Sequence, residues 1–177
     1  MHRLKVTLAH SKPPIWRRVL VPSDITLDQL HDVVQVVMGW ENEHLHLFEI
    51  DGMTFSDPRY RDADIHEEAT VRLNQAAPYP TATFRYEYDF GDGWEHDILI
   101  EAVQPPDPDQ HMPLCLGGER AAPPEDCGGI WRYGWILEVL ANPRDPDRRE
   151  MLDWLGGPID PDAFDLEAVN RRLGSGL

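Results

Sequence analysis

Cysteine is scarce: the 177-residue chain has two, Cys115 and Cys127, with eleven residues between them. In a cytosolic protein a disulfide between them is not expected. Two thiols also fall short of a structural zinc framework, which takes four close ligands at recurrent spacings. Positive charge is in deficit as well, with 16 Lys and Arg against 32 Asp and Glu and a formal net charge of −16. So negative a surface repels a phosphate backbone, and nucleic-acid affinity comes largely from neutralising phosphates. The tight basic pairs, Arg17–Arg18 and Arg171–Arg172, are not interleaved with several aromatics, so direct nucleic-acid binding is disfavoured. Long hydrophobic runs are missing. The longest, "VVQVVM" at 33–38, is too short to span a bilayer, and the opening "MHRLKVTLAH" lacks the unbroken apolar core of a signal peptide. These absences predict a soluble cytoplasmic protein, without membrane attachment, whose partner is a protein or a small molecule.

What is present argues for a folded globule: 41% apolar residues and six tryptophans, despite 16 prolines. The length suits one domain with a proper core. "LKVTLA" (4–9) alternates apolar and polar residues, and "IWRRVLV" (15–21) alternates again, with Ile15, Arg17, Val19 and Val21 on one face. The two read as an antiparallel strand pair. The period then changes: Leu27, Leu30, Val34, Val37 and Met38 recur at helical spacing, Thr26 and Gln29 make a capping box, and Gly39 ends the helix. "HLHLFEIDG" reads as a strand closed by Asp51–Gly52. A polar loop, "SDPRYRDADIHEE", leads to a short strand "TVRL" and a second loop, "NQAAPYP".

The densest stretch is "DFGDGWEH", Asp89 to His96, between "TFRYEYDF" and "WEHDILIEAV". If Asp92–Gly93 alone formed the turn of this hairpin, polar and apolar side chains would share faces. A three-residue loop, Gly91–Asp92–Gly93, pairs Phe90 with Trp94, Tyr88 with His96 and Tyr86 with Ile98. All aromatic and apolar residues then fall on one face, and Arg85, Glu87, Asp89, Glu95, Asp97 and Glu101 on the other. A one-residue slip exchanges faces, so burial selects this register, with Gly93 at positive φ. It places the Asp89 carboxylate away from the core.

After residue 103 come a proline-rich connection and "CLGGERAAPPEDCGG", too rich in Gly and Pro for a long element. Three helices follow. The first stops before Pro143. The second starts with Asp147 and Glu150 as a capping box and ends at Gly156. The third is capped by Asp165, with Leu166, Val169 and Leu173 inward. The predicted fold is α+β: a mostly antiparallel sheet of about five strands, one early helix and a helical C-terminal region. It forms a single domain over 1–177, with a sheet-rich part to 104 and a Gly/Pro loop and helices over 113–177.

Taken in order, "PPIWRRV", "DITLDQLHDVVQVVMGWENEHLHLFEI", "YDFGDGWEHDI", "CLGG", "PPEDCGG" and "DPDAFDLEAVNRRL" resemble the plasmid pRiA4b ORF-3-like family along nearly the whole chain. Relatives there include insertion-sequence passenger proteins labelled TnpR. The resemblance implies one compact α+β domain, bacterial or archaeal, often near mobile elements. Resolvase chemistry finds no support in the residues. A serine recombinase needs a nucleophilic serine amid arginines, and of Ser11, Ser23, Ser56 and Ser175 only Ser11 lies near the Arg17–Arg18 pair, in a loop before "PPIWRR". "DFG" is not a kinase signature either, because no glycine-rich phosphate loop or catalytic loop accompanies it.

Two functional readings remain. The leading one is a non-enzymatic binding or adaptor module whose cleft is lined by Trp40, Tyr88, Trp94, His96, Cys115 and Cys127. The second is a metal-dependent hydrolase or nuclease. His44, His46, Asp89, Asp92, His96 and Asp126 could converge with the cysteines into a pocket for a divalent metal such as zinc. Tryptophan, free cysteine and a histidine on an apolar face are, in the absence of function, ordinary core residues.

Overall fold

The computed structural model describes residues 1–60 and 64–175. Eight strands make one sheet in the order β5-β4-β3-β6-β7-β1-β2-β8. β1 (His2–Leu8) pairs antiparallel with β2 (Trp16–Val21), as their alternation predicts. α1 (Leu27–Met38) follows, with the Thr26 backbone N–H donating to Gln29 Oε1 at 3.3 Å and Gly39 left-handed at its end. β3 (His46–Ile50) turns through Asp51–Gly52, both at positive φ, into β4 (Met53–Ser56). β5 (Ile65–Glu67) lies parallel to β4, the one parallel pair among the described residues. One turn of 3-10 helix, Glu68–Thr70, leads into the short α2 (Leu73–Ala76). β6 (Thr83–Tyr88), β7 (Trp94–Val103) and β8 (Leu114–Glu119) complete the sheet, and α3 (Gly129–Ala141), α4 (Arg148–Leu155) and α5 (Leu166–Gly174) end the chain.

The α+β class stands, and the strand number is corrected upward. β4 falls largely on residues 53–55, to which the sequence pattern assigns no element, and β5 falls in the expected polar loop, of which residues 61–63 lie outside the described residues. "TVRL" is not a strand: Thr70 ends the 3-10 turn, Arg72 makes an isolated bridge to Thr26 and Leu73 opens α2, which takes in the first three residues of "NQAAPYP" and leaves 77–80 as the expected loop. β8 was hidden by its glycines. A Cβ on Gly118 would sit 2.8 Å from the Trp16 carbonyl oxygen and 2.9 Å from the Phe164 ring, so glycine here marks a close approach rather than a loop. The Asp147–Glu150 box makes no side-chain cap bond. Asp165 does cap α5, accepting from Ala168 N, but Leu166 is exposed while Leu173 is buried.

Burial is one-sided. Leu4, Val6, Leu8, Val19, Val21, Phe84, Tyr86, Ile98 and Ile100 pack into one core with the Leu27, Leu30, Val34 and Val37 stripe of α1. Each fully buried aliphatic contributes roughly 1.5–3 kcal/mol. The opposite face of the sheet carries Arg3 and Arg18 paired to Glu101, as antiparallel sheets with one solvated face allow. α5 is clamped to the sheet edge by Asn170, whose side chain accepts from Cys115 N at 2.8 Å and donates to Cys115 O at 2.9 Å. Among the described residues no helix is long and apolar enough to cross a membrane.

Candidate functional site

The β6–β7 hairpin closes through five residues, not three. Tyr88 pairs with Trp94, Tyr86 with His96 and Phe84 with Ile98. This register is two residues from the expected one, so the faces survive, since side chains repeat every two residues. The aromatics do point inward. The correction falls on the tip: Phe90 is 38% exposed, and Asp89 is buried at 8% rather than facing water. Asp89 sits at φ 55°, where its N–H donates to Leu45 O at 2.9 Å and its carbonyl accepts from Gly93 N at 2.6 Å. Its Oδ1 accepts from Gly91 N at 2.9 Å, the local bond that suits aspartate to such turns. Oδ2 is left facing His44, 3.8 Å from its Nε2.

His44 lies in the turn before β3, and its Nε2 is 3.0 Å from Asp126 Oδ1 in the loop before α3. Asp126 also has left-handed backbone, φ 57°. One imidazole nitrogen and two carboxylate oxygens from three distant segments thus lie within 4.8 Å of one another. The surrounding loops are held by directed bonds. Tyr88 donates its hydroxyl to Glu125 Oε1 at 2.5 Å and accepts from Glu43 N at 3.0 Å. Glu41 N donates to Glu125 Oε2, and the Trp40 indole N–H to Pro123 O, each at 2.9 Å. Burial, then the Glu125 carboxylate, pushes the Tyr88 phenol well above its ordinary range. Asp92 does not join the cluster. Its Oδ2 instead accepts from Gly128 N at 2.9 Å, tying the tip to the loop that carries Asp126.

The other expected ligands go elsewhere. His46 is buried with Nε2 2.7 Å from Glu68 Oε2, and its ring stacks on His31 with centroids 3.4 Å apart. His96 is fully enclosed, with Nδ1 2.9 Å from Trp94 O, and burial pulls its pKa down to about 4. The six residues expected to line a cleft form packed core: Trp40, Tyr88, Trp94, His96, Cys115 and Cys127 are at most 3% exposed. Trp40 is the hub, stacked on Tyr88 at 5.2 Å and edge-on to His96 at 5.4 Å. Both cysteines are free thiols. Burial raises the Cys115 pKa, and burial with the nearby Asp92 charge pushes Cys127 up to about 12. A nucleophile must be thiolate, so neither is poised for that role.

Sequence reasoning missed a second polar group. His31 Nδ1 is 2.7 Å from the Tyr86 hydroxyl and its Nε2 2.8 Å from Asn42 Oδ1, while Gln35 donates to Tyr86 at 2.9 Å. The signal was available: His31 and Gln35 fall four and eight residues after Leu27, on the helix stripe that faces the core. Burial, then the neighbouring His46, holds the His31 pKa down to about 3.

With this geometry in view, the comparisons with known proteins are consistent. The family model for plasmid pRiA4b ORF-3-like protein matches residues 1–168. The chain is 41% identical over 174 residues to the uncharacterized protein y4hQ of Sinorhizobium fredii, spanning 97% of this chain and 89% of that relative. It is also similar to the crystal structure of a protein of unknown function, MM3350, from Methanosarcina mazei. There the TM-score is 0.86 and the identity 33%, over 94% of this chain and 95% of that one.

Proposed function

We propose, on the premise that this chain belongs to the plasmid pRiA4b ORF-3-like family, that it is a binding module whose ligand at the hairpin tip is a divalent metal ion. The observation that carries this reading is the convergence of His44 Nε2, Asp89 Oδ2 and Asp126 Oδ1. Imidazole with two carboxylates suits zinc or manganese better than softer ions. Two of the three ligands sit at positive φ, which costs a non-glycine residue free energy and recurs at functional sites. The supporting shell is built as metal sites require, with Asp89 oriented by Gly91 N and the Asp126 loop fastened by Asp92, Glu125 and Trp40.

Elemental analysis and calorimetric titration of the purified protein test it. We expect one zinc or manganese per chain, lost in His44→Ala and in Asp89→Asn while far-ultraviolet circular dichroism is unchanged. Equal metal content in wild type and both variants overturns the site.

One observation favours hydrolysis as a second reading. Asp126 is 71% exposed at its side chain, so an ion held there keeps positions open to solvent. Three protein ligands plus a water is the arrangement of catalytic rather than structural zinc. Metal-dependent turnover of a phosphoester or peptide, abolished by His44→Ala, decides for it. Stoichiometric metal without turnover of either decides for binding alone.

A further inference from the structure

The segment that carries His44 runs between α1 and β3 with no regular structure of its own, yet each residue from Trp40 to Glu43 is fastened from elsewhere. Trp40 and Glu41 are tied to Pro123 and Glu125, and Glu43 to the Tyr88 hydroxyl. Asn42 is held differently, from inside the core. It has left-handed backbone, φ 60°, a conformation that Asn and Asp tolerate better than other side chains. Its backbone N–H donates to Gln35 Oε1 at 3.2 Å, and its side-chain Oδ1 lies 2.8 Å from His31 Nε2.

These bonds join those of Tyr86 into a closed circuit whose directions are fixed by chemistry. Asn42 Oδ1 is a carbonyl oxygen and can only accept, so His31 carries its proton on Nε2. The neutral imidazole then has a bare lone pair on Nδ1, 2.7 Å from the Tyr86 hydroxyl, which donates to it. That hydroxyl accepts from Gln35 Nε2 at 2.9 Å, and Gln35 Oε1 accepts from the Asn42 N–H. His31, Gln35 and Tyr86 are at most 4% exposed, so each bond lost leaves a buried polar group unmet. Asn42 therefore cannot shift without breaking two bonds at once. Burial alone does not ask for such a network, since apolar groups of like shape in its place are close to neutral for stability. What the circuit adds is a fixed position for the loop two residues ahead of His44.

From this geometry we infer that His31, Gln35, Tyr86 and Asn42 are positioning residues for the hairpin-tip site, aiming His44 Nε2 at Asp89 and Asp126. The effect on metal affinity rests on the metal reading of that site; the placement of His44 does not. Two variants test it. Asn42→Gly removes Oδ1 and leaves the left-handed backbone free of strain, and Tyr86→Phe removes the hydroxyl and keeps the ring. Val21→Ala, a core deletion at the end of β2 that pairs with His2, controls for lost stability alone. In the metal-free protein the His44 ring lies edge-on to Tyr88 with centroids 5.8 Å apart, so its protons carry a ring-current shift readable by NMR. That shift should collapse in Asn42→Gly and Tyr86→Phe and persist in Val21→Ala. Zinc or manganese should bind both circuit variants about tenfold more weakly or worse, the scale on which hydrogen-bonded supports act on metal ligands. Val21→Ala should bind as wild type does, and Asn42→Asp, which keeps an acceptor for His31, should restore wild-type affinity. If wild type takes up no metal while the His44 signals respond as expected, the metal reading falls and the positioning role stands. Unshifted His44 signals in both circuit variants overturn the inference whether or not metal binds. So does nitrogen-15 NMR showing His31 protonated on Nδ1 instead of Nε2.

Discussion

The Asp92 carboxylate accepts a hydrogen bond from the Gly128 backbone N–H at 2.9 Å, joining a hairpin tip to a loop that lies 36 positions away in the chain. Gly129 presses on the same point: a Cβ there would stand 2.4 Å from the Asp92 carbonyl oxygen, and its φ is +81°. The tip and the Asp126 loop are therefore one unit, and His44 enters it from a third segment.

Gly129→Ala should therefore cost about 2–3 kcal/mol, combining left-handed backbone with a clash against backbone that cannot swing away. Urea denaturation measures it. A loss under about 0.5 kcal/mol would mean that the tip and the loop are not in contact.

Gly93→Val should destabilise by on the order of 1–2 kcal/mol, since a β-branched residue resists positive φ. Gly93 sits at φ +65° with open space around it, so the penalty is conformational rather than steric. Thermal unfolding reads it, and an unchanged Tm removes the turn assignment.

Metal should stabilise the fold by mass action. At a free concentration of 100 times Kd, an ion that binds the folded chain adds about 2.7 kcal/mol. The wild-type Tm should rise accordingly with zinc or manganese, and His44→Ala should abolish the rise without altering the metal-free Tm by more than a few degrees.

Arg17 is buried to 3% and donates to three carbonyls, Val37 O at 2.9 Å, Trp16 O at 2.8 Å and Glu119 O at 2.9 Å, while its guanidinium lies over Phe164. It ties β2, β8, the end of α1 and the segment before α5 together. Burial lowers its pKa to about 10, so it stays charged at neutral pH. Lysine cannot reproduce the planar fork. Arg17→Lys should cost about 2–4 kcal/mol in chemical denaturation, through carbonyls left unsatisfied.

Acid should weaken the fold before most carboxylates titrate. Burial holds His31 at about 3 and His96 at about 4, both below the ordinary 6.5. The unfolded chain therefore takes up protons that the folded chain refuses, and stability falls as pH drops below 6.5, levelling off near the folded values. From pH 7 to pH 5 each histidine should account for about 2 kcal/mol of loss. His96→Leu should flatten the pH dependence of the urea midpoint over that interval by its share, and an unchanged slope removes His96 as a cause.

Periodicity and punctuation made much of the chain legible. The β1–β2 alternation, the α1 stripe and the inward aromatics of β6 and β7 are local patterns, and each is where those patterns place it. Even the wrong hairpin register preserved the faces, because a shift by two leaves a period of two intact. β5 and β8 were not legible. β5 is three residues long, and β8 contains Gly117 and Gly118, which read as loop until the Phe164 ring is seen beside one of them.

The site divides in the same way. Composition and spacing alone determined which residue types were available, that the aromatics of the hairpin would be buried, and that the chain has the family's motifs throughout. Which polar groups meet was decided by tertiary structure. His44 and His46 are two residues apart, yet one reaches Asp126 and the other Glu68, because their partners arrive on loops placed by strands and helices far along the chain. Pattern reports the direction in which a side chain leaves its own backbone. It carries no information about what a distant segment brings to the other end, and burial and metal ligation are both set there.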